Sequence, residues 1–187
     1  TTTLSFRCGI ESCRGSKGGG DDRPSRYWQV HSVILWREED RHPLGVIEQR
    51  RWSRDPRLRG KRHFRRRLGY EEKESIKWEQ ASRAVERRLG AEAMKRVITV
   101  ADRESDVYEY LQYKLERGHR FVVRSSWDRR LSGGGRLRQE VRSWPVMGKV
   151  LQEIGQRGGR ARRQALLSVR FGRVRLGLPR RERSTAS

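Results

Sequence analysis

Apolar positions along this chain fall into two periods, and their alternation lays out the elements. Residues 97–101, Val97-Ile98-Thr99-Val100-Ala101, run without polar alternation, which is how a strand buried on both faces reads. The run ends in Asp102, and a helical pattern starts at once, with Val107, Tyr110, Leu111 and Leu115 on one stripe. Gly118 is placed to stop that helix, and Phe121-Val122-Val123 reads as the next strand. Together they predict a β-α-β unit with Asp102 at the carboxyl end of its first strand. In open α/β sheets ligands and catalytic groups collect at that edge. Asp is also a favoured helix N-cap, and Glu104 and Asp106 suit the positive end of a helix dipole. The two roles are compatible, because a capping position holds a carboxylate rigidly.

The same two periods organise the rest. Residues 27–36 predict a strand dense in aromatic and β-branched side chains (Trp28, Val30, Val33, Ile34, Leu35). A charged turn at 37–43 returns the chain to 45–49 as its hairpin partner. Residues 71–89 predict the longest helix: Trp78, Ser82, Val85 and Leu89 line one face, the first turn is acidic, and Gly90 supplies the stop. Residues 1–6 have strand character without a preceding turn, like the end of a longer strand. Gly15, Gly18, Gly19, Gly20 and Pro24 make 12–25 a polar loop without phosphate-loop spacing. Further on, 133–135 and 144–146 read as loop and turn, and 164–170 with 173–176 as a hairpin around Phe171-Gly172. No internal repeat is present. Residues 1–125 and 126–178 are the expected domains, with 179–187 a disordered tail.

Charge changes the picture more than composition does. The 187 residues carry 45 Lys and Arg against 23 Asp and Glu, a formal net charge of +22. Such a chain repels itself when compact and seeks a polyanion, so nucleic acid leads and an anionic membrane follows. No apolar run is long enough to span a bilayer, and no membrane partner is expected. Residues 50–67 gather ten Lys and Arg with almost no apolar content, reading equally as a solvated loop and as a phosphate-contacting one. Within them Lys61 and Arg62 are the candidate DNA contacts. Cys8 and Cys13 are the only cysteines, too few for a disulfide framework, and a reducing cytoplasm is the expected location. Neither they nor His31 and His42 have zinc-site spacing.

Hairpin, helix, then strand-helix-strand predicts a mixed α/β sheet that fits a ribonuclease H-like fold with its first strand cut short. At this point several blocks together resemble the bacterial DDE transposases, in the cut-and-paste insertion-sequence-four branch. They are Val97-Ile98-Thr99-Val100-Ala101-Asp102-Arg103-Glu104-Ser105-Asp106 with Tyr110-Leu111, Phe121-Val122-Val123-Arg124-Ser125, Thr1-Thr2-Thr3-Leu4-Ser5-Phe6, Trp28-Gln29-Val30-His31-Ser32-Val33 and Glu72-Lys73-Glu74-Ser75-Ile76-Lys77-Trp78. The late segment from Ala165 to Leu176 matches in the same order, as part of a β-rich insertion domain.

The resemblance implies metal-dependent DNA cleavage and strand transfer. Two magnesium ions, with manganese as a substitute, sit between two aspartates and a glutamate in such enzymes. Asp102 matches the second aspartate, making it the candidate catalytic and metal-binding residue. Arg103 and Arg124, near the same strand end, are candidate DNA-phosphate contacts, with plain surface arginines as the other reading. The resemblance also implies double-stranded transposon-end DNA as partner, a homodimer of the full-length protein and a bacterial cytoplasm. The first aspartate would lie just before Thr1 and the glutamate beyond the insertion, so this piece alone is expected to be inactive. The alternative expectation is a basic, non-catalytic nucleic-acid-binding protein.

Overall fold

In the computed structural model residues 2–6, 26–54 and 67–179 are described, and they divide into two compact units, Thr1–Arg124 and Ser125–Ser187. The first unit opens with an antiparallel sheet of β1 (Thr2–Phe6), β2 (Arg26–Arg37) and β3 (His42–Trp52), in that order. The β-branched and aromatic run makes β2 the central strand. Its hairpin with β3 closes through a turn in which the Arg37 guanidinium grips the Asp40 carboxylate with two hydrogen bonds. Arg41 takes a positive φ of 55° at the end of that turn. Farther along, Gln49 Nε2 donates to Ser32 Oγ at 3.0 Å, and these two residues face each other across the strands. Register shifts at Val33/Ile34 and Leu35/Trp36 break the ladder, marking bulges toward the turn.

A single 3-10 turn, Glu74–Ile76, leads into α1 (Lys77–Leu89), so the expected helix over 71–89 begins later than its acidic residues suggest. Glu72 is spent outside the helix, its carboxylate accepting from the Gly69 N–H at 2.8 Å. Gly90 ends α1 with φ 79°, but the chain then adds the short α2 (Ala91–Met94). The inward face of α1 holds Lys77, Ala81, Ser82, Ala84 and Val85, all buried. Small residues there allow a close approach to α3 (Tyr108–Glu116), whose Tyr110 and Tyr113 are buried. Val30, Val85, Met94 and these alanines and tyrosines are the core. Tyr110 and Ser82 share a hydroxyl hydrogen bond of 3.1 Å, and the Tyr113 hydroxyl donates to Glu86 at 3.2 Å.

The β-α-β unit is present: β4 (Ile98–Ala101), α3 and β5 (Arg120–Val123), with β4 and β5 parallel. Helix α3 ends as expected at Gly118, φ 65°. Gly118 N–H donates to Leu115 O and His119 N–H to Lys114 O, the paired bonds of a Schellman motif.

Three expectations fail here. First, β4 is not buried on both faces. Ile98 is 52% and Val100 77% exposed, as is Val122 on β5 at 58%; the half-buried Thr99, Ala101, Phe121 and Val123 take the inward side. Second, the anticipated single mixed sheet is two sheets. Each is closed by its own connection, and among the described residues no ladder joins β1 to β4. The mixed α/β class stands. Third, the stripe on α3 is rotated: Lys114 is fully buried beside Tyr110 and Tyr113, while Leu115 is 70% exposed.

The second unit contains α4 (Leu137–Ser143) and an antiparallel ribbon of β6 (Gly148–Ile154) and β7 (Arg163–Val169). The expected hairpin of 164–170 with 173–176 is therefore replaced. Gly172 lies 3.0 Å (from an added Cβ) against the Trp144 ring, and Arg170 Nε donates to Trp144 O at 3.0 Å, so the chain packs on Trp144 instead of reversing. Leu176 instead bridges Leu131, with Ser132 N–H on Arg175 O at 2.9 Å. The tail from 180 onward and the loop at 12–25, with Cys8 and Cys13, lie outside the described residues. Among the described residues no helix is long and apolar enough to cross a membrane.

Candidate functional site

Asp102 follows β4 immediately and keeps extended geometry (φ −80°, ψ −175°), so the alternation that exposes Ile98 and Val100 continues to it. Its Oδ1 accepts the Glu104 N–H at 3.0 Å. Its carbonyl accepts the Ser105 N–H at 3.1 Å and the Ser105 hydroxyl at 2.7 Å. These bonds close a 3-10 turn, Arg103–Ser105; Asp106 (φ −73°, ψ 64°) then makes a tight turn with the Val107 N–H on Ser105 O at 2.8 Å, and Val107 is extended before α3. The helix does not start at once, because Asp102 caps this small turn and not α3. Ser105 is fully buried and Asp106 nearly so, whereas Asp102, Arg103 and Glu104 are exposed. The turn is thus pinned from beneath and presents one rigid carboxylate outward.

The parallel register brings Arg124 to the same edge. Val123 faces Ala101, and the Arg124 N–H donates to Ala101 O at 3.2 Å. Arg124, like Arg103, is exposed. Of the remaining sequence candidates, Lys61 and Arg62 lie outside the described residues.

Sequence reasoning missed Lys77 as a support of this turn. Its Nζ lies 3.5 Å from Glu104 Oε2 and 3.8 Å from Glu74 Oε1, with the Trp52 ring 5.4 Å and the Trp78 ring 5.7 Å away. A buried ammonium needs such company: two carboxylates and two ring faces offset its lost hydration. Arg54 holds Glu74 from the other side through two 2.7 Å hydrogen bonds. Together they form a relay of ion pairs from the end of β3 to the residue two beyond Asp102. A pocket of about 570 Å³ opens over it, lined by Arg50, Trp52, Arg54, Lys73 and Lys77 among others. The signal was available, since Lys77 shares a face with Ala81 and Val85 at helical spacing. His31 packs edge-on to Trp78 at 4.5 Å. Its burial, with Lys77 nearby, lowers its pKa to about 4, so the imidazole stays neutral.

Among the described residues no group of three or more His, Cys, Asp or Glu is arranged to hold a metal ion. Asp102 fits as one ligand of a hydrated magnesium ion, which commonly keeps several waters and one or two carboxylates. A pair of ions needs more donors than this edge presents, since Glu104 is committed to Lys77. No protein-family model matches the chain.

Proposed function

We propose that this chain is a segment of a DDE-type DNA transposase, with Asp102 as the second carboxylate of a metal-holding triad. The observation that carries the reading is the placement of Asp102: an exposed carboxylate, fixed by the Glu104 N–H, at the carboxyl end of a parallel strand. The sequence blocks around it, in the order that family has them, support it. The net charge of +22 supports a DNA substrate. In the assembled site Asp102 would hold magnesium, whose chemistry is to activate the attacking oxygen and stabilise the leaving one. Arg103 and Arg124 would hold the flanking phosphates of transposon-end DNA, and the full-length protein would act as a dimer.

Calorimetric titration of manganese into this chain and into Asp102→Ala tests the reading. Weak binding in the wild type that disappears in the variant is expected. If neither binds manganese while both bind a short DNA duplex equally well, the transposase reading falls. The chain is then a basic DNA-binding protein and Asp102 a turn cap.

A further inference from the structure

The β6–β7 ribbon has a composition and a shape that the site at Asp102 does not use. Between residues 148 and 169 five Lys and Arg stand against a single Glu. The ladder runs from Gly148↔Val169 to Ile154↔Arg163, and the chain continues past it to a tighter end. There Arg157 and Arg160 exchange backbone hydrogen bonds of 3.3 Å across Gly158 and Gly159. Gly158 has φ 59°, the positive value that a primed two-residue turn needs at its first position. The tip is consequently bare of side chains, with no atom within 4 Å of where a Cβ would stand on either glycine. Arginines flank it on both strands. Glu153 pairs with Arg162, while Arg157, Arg160 and Arg163 have no acidic partner among the described residues.

A narrow glycine tip between arginines is the shape of an element that slides between two rows of phosphates. The major groove of B-form DNA, about 12 Å wide, admits a two-stranded ribbon, whereas that of A-form RNA is too deep and narrow. The register also sorts the ribbon's faces. Gln152 and Arg163 share one with Val150, Ile154 and Leu167, and Lys149, Gln164 and Ser168 share the other with Leu151, Glu153 and Leu166, so both faces carry groups able to hydrogen-bond base edges. We propose that the β6–β7 ribbon is a duplex-DNA contact that enters the major groove tip first, with Arg157 and Arg160 on the phosphates of the two walls. This surface goes beyond the Asp102 reading and does not depend on it.

The test is the salt dependence of binding to a short DNA duplex, measured on the full chain by fluorescence anisotropy. Arg157→Ala with Arg160→Ala is expected to weaken binding on the order of tenfold at physiological salt. The double variant should also lower the slope of log K against log salt by about two, since each phosphate contact contributes about 0.9. Arg87→Ala with Lys95→Ala removes the same charge from exposed positions on the first unit and should change the slope little. Gly159→Leu keeps the charge, fits the open space around Gly159, and is expected to weaken binding severalfold by widening the tip. An RNA duplex should bind less tightly than DNA. Equal losses in the two charge variants, wild-type affinity in Gly159→Leu, or equal binding of the RNA duplex would each overturn the proposal. Asp102→Ala should leave all of these readings unchanged, which keeps this result apart from that of the manganese titration.

Discussion

The two units of this chain solve the problem of a charged, weakly apolar sequence in opposite ways. In the first, small residues on α1 let Tyr110 and Tyr113 of α3 pack inward, so few side chains make a true core. In the second, not one residue from 125 to 179 is buried. Leu151 and Leu166 stay more than 60% exposed on an ordered ribbon. A two-stranded ribbon has no layer to cover its faces, whereas two helices supply one. The buried residues of the described chain therefore all lie in the first unit.

Truncation sharpens this contrast most. Tyr110→Ala should cost the first unit about 3–5 kcal/mol, because it removes a buried ring and strands the Ser82 hydroxyl. Hydrogen exchange should show lost protection confined to residues up to 124; equal loss in β6 and β7 would mean that the units fold as one.

Next in size is a pH effect. Lys114 is fully buried, donates to Thr99 Oγ1 at 3.0 Å, lies 5.6 Å from the Tyr110 ring centre, and has no ion-pair partner among the described residues. Burial lowers its pKa to about 8 from the usual 10.5. The unfolded chain then binds more protons than the folded one between those values, so stability rises with pH there and is lost as pH falls through about 8. From roughly pH 7.5 to 9.5 the gain should be about 2 kcal/mol in urea unfolding. Lys114→Met should flatten the rise. On the acid side His119, whose pKa burial also lowers, should make the first unit lose stability as pH falls below the usual imidazole range.

Smaller still, Asp102→Ala should cost about 1 kcal/mol, the ordinary loss of a cap. A far larger loss would make Asp102 part of the folding core. Least of all, Leu167→Ala in the ribbon should change stability by less than about 1 kcal/mol, since the side chain is already 48% exposed. A larger cost would show that something covers that face in solution.

How much of this was legible in the sequence depends on how local the cause was. Gly90 and Gly118 stop their helices because positive φ is cheapest for glycine, and both were readable. So were β2, β3 and the parallel pair, whose β-branched runs carry their own signal. What failed needed a partner far along the chain. Gly148–Ile154 shows little apolar alternation and becomes a strand because β7 pairs with it, while Phe171-Gly172 looks like a turn until Trp144 fills the space beside Gly172. Lys114 was passed over because lysine reads as surface; only the hydroxyl of Thr99, fifteen residues earlier, gives its amine an inward place. At the candidate site Asp102 was legible by position. Its support by Lys77 and Glu104 was not, since that pair spans α1 and the turn.

The uncovered side of the parallel pair has a consequence for how the protein behaves in a tube. Ile98, Val100 and Val122 form an apolar strip on a short sheet, the kind of surface through which chains stick to one another. What keeps copies apart is mutual repulsion, since each carries a net charge of +22. Added salt shortens the reach of that repulsion from about 30 Å at 0.01 M to about 3 Å at 1 M. Raising the salt therefore lowers the colloidal barrier between copies, and turbidity should follow.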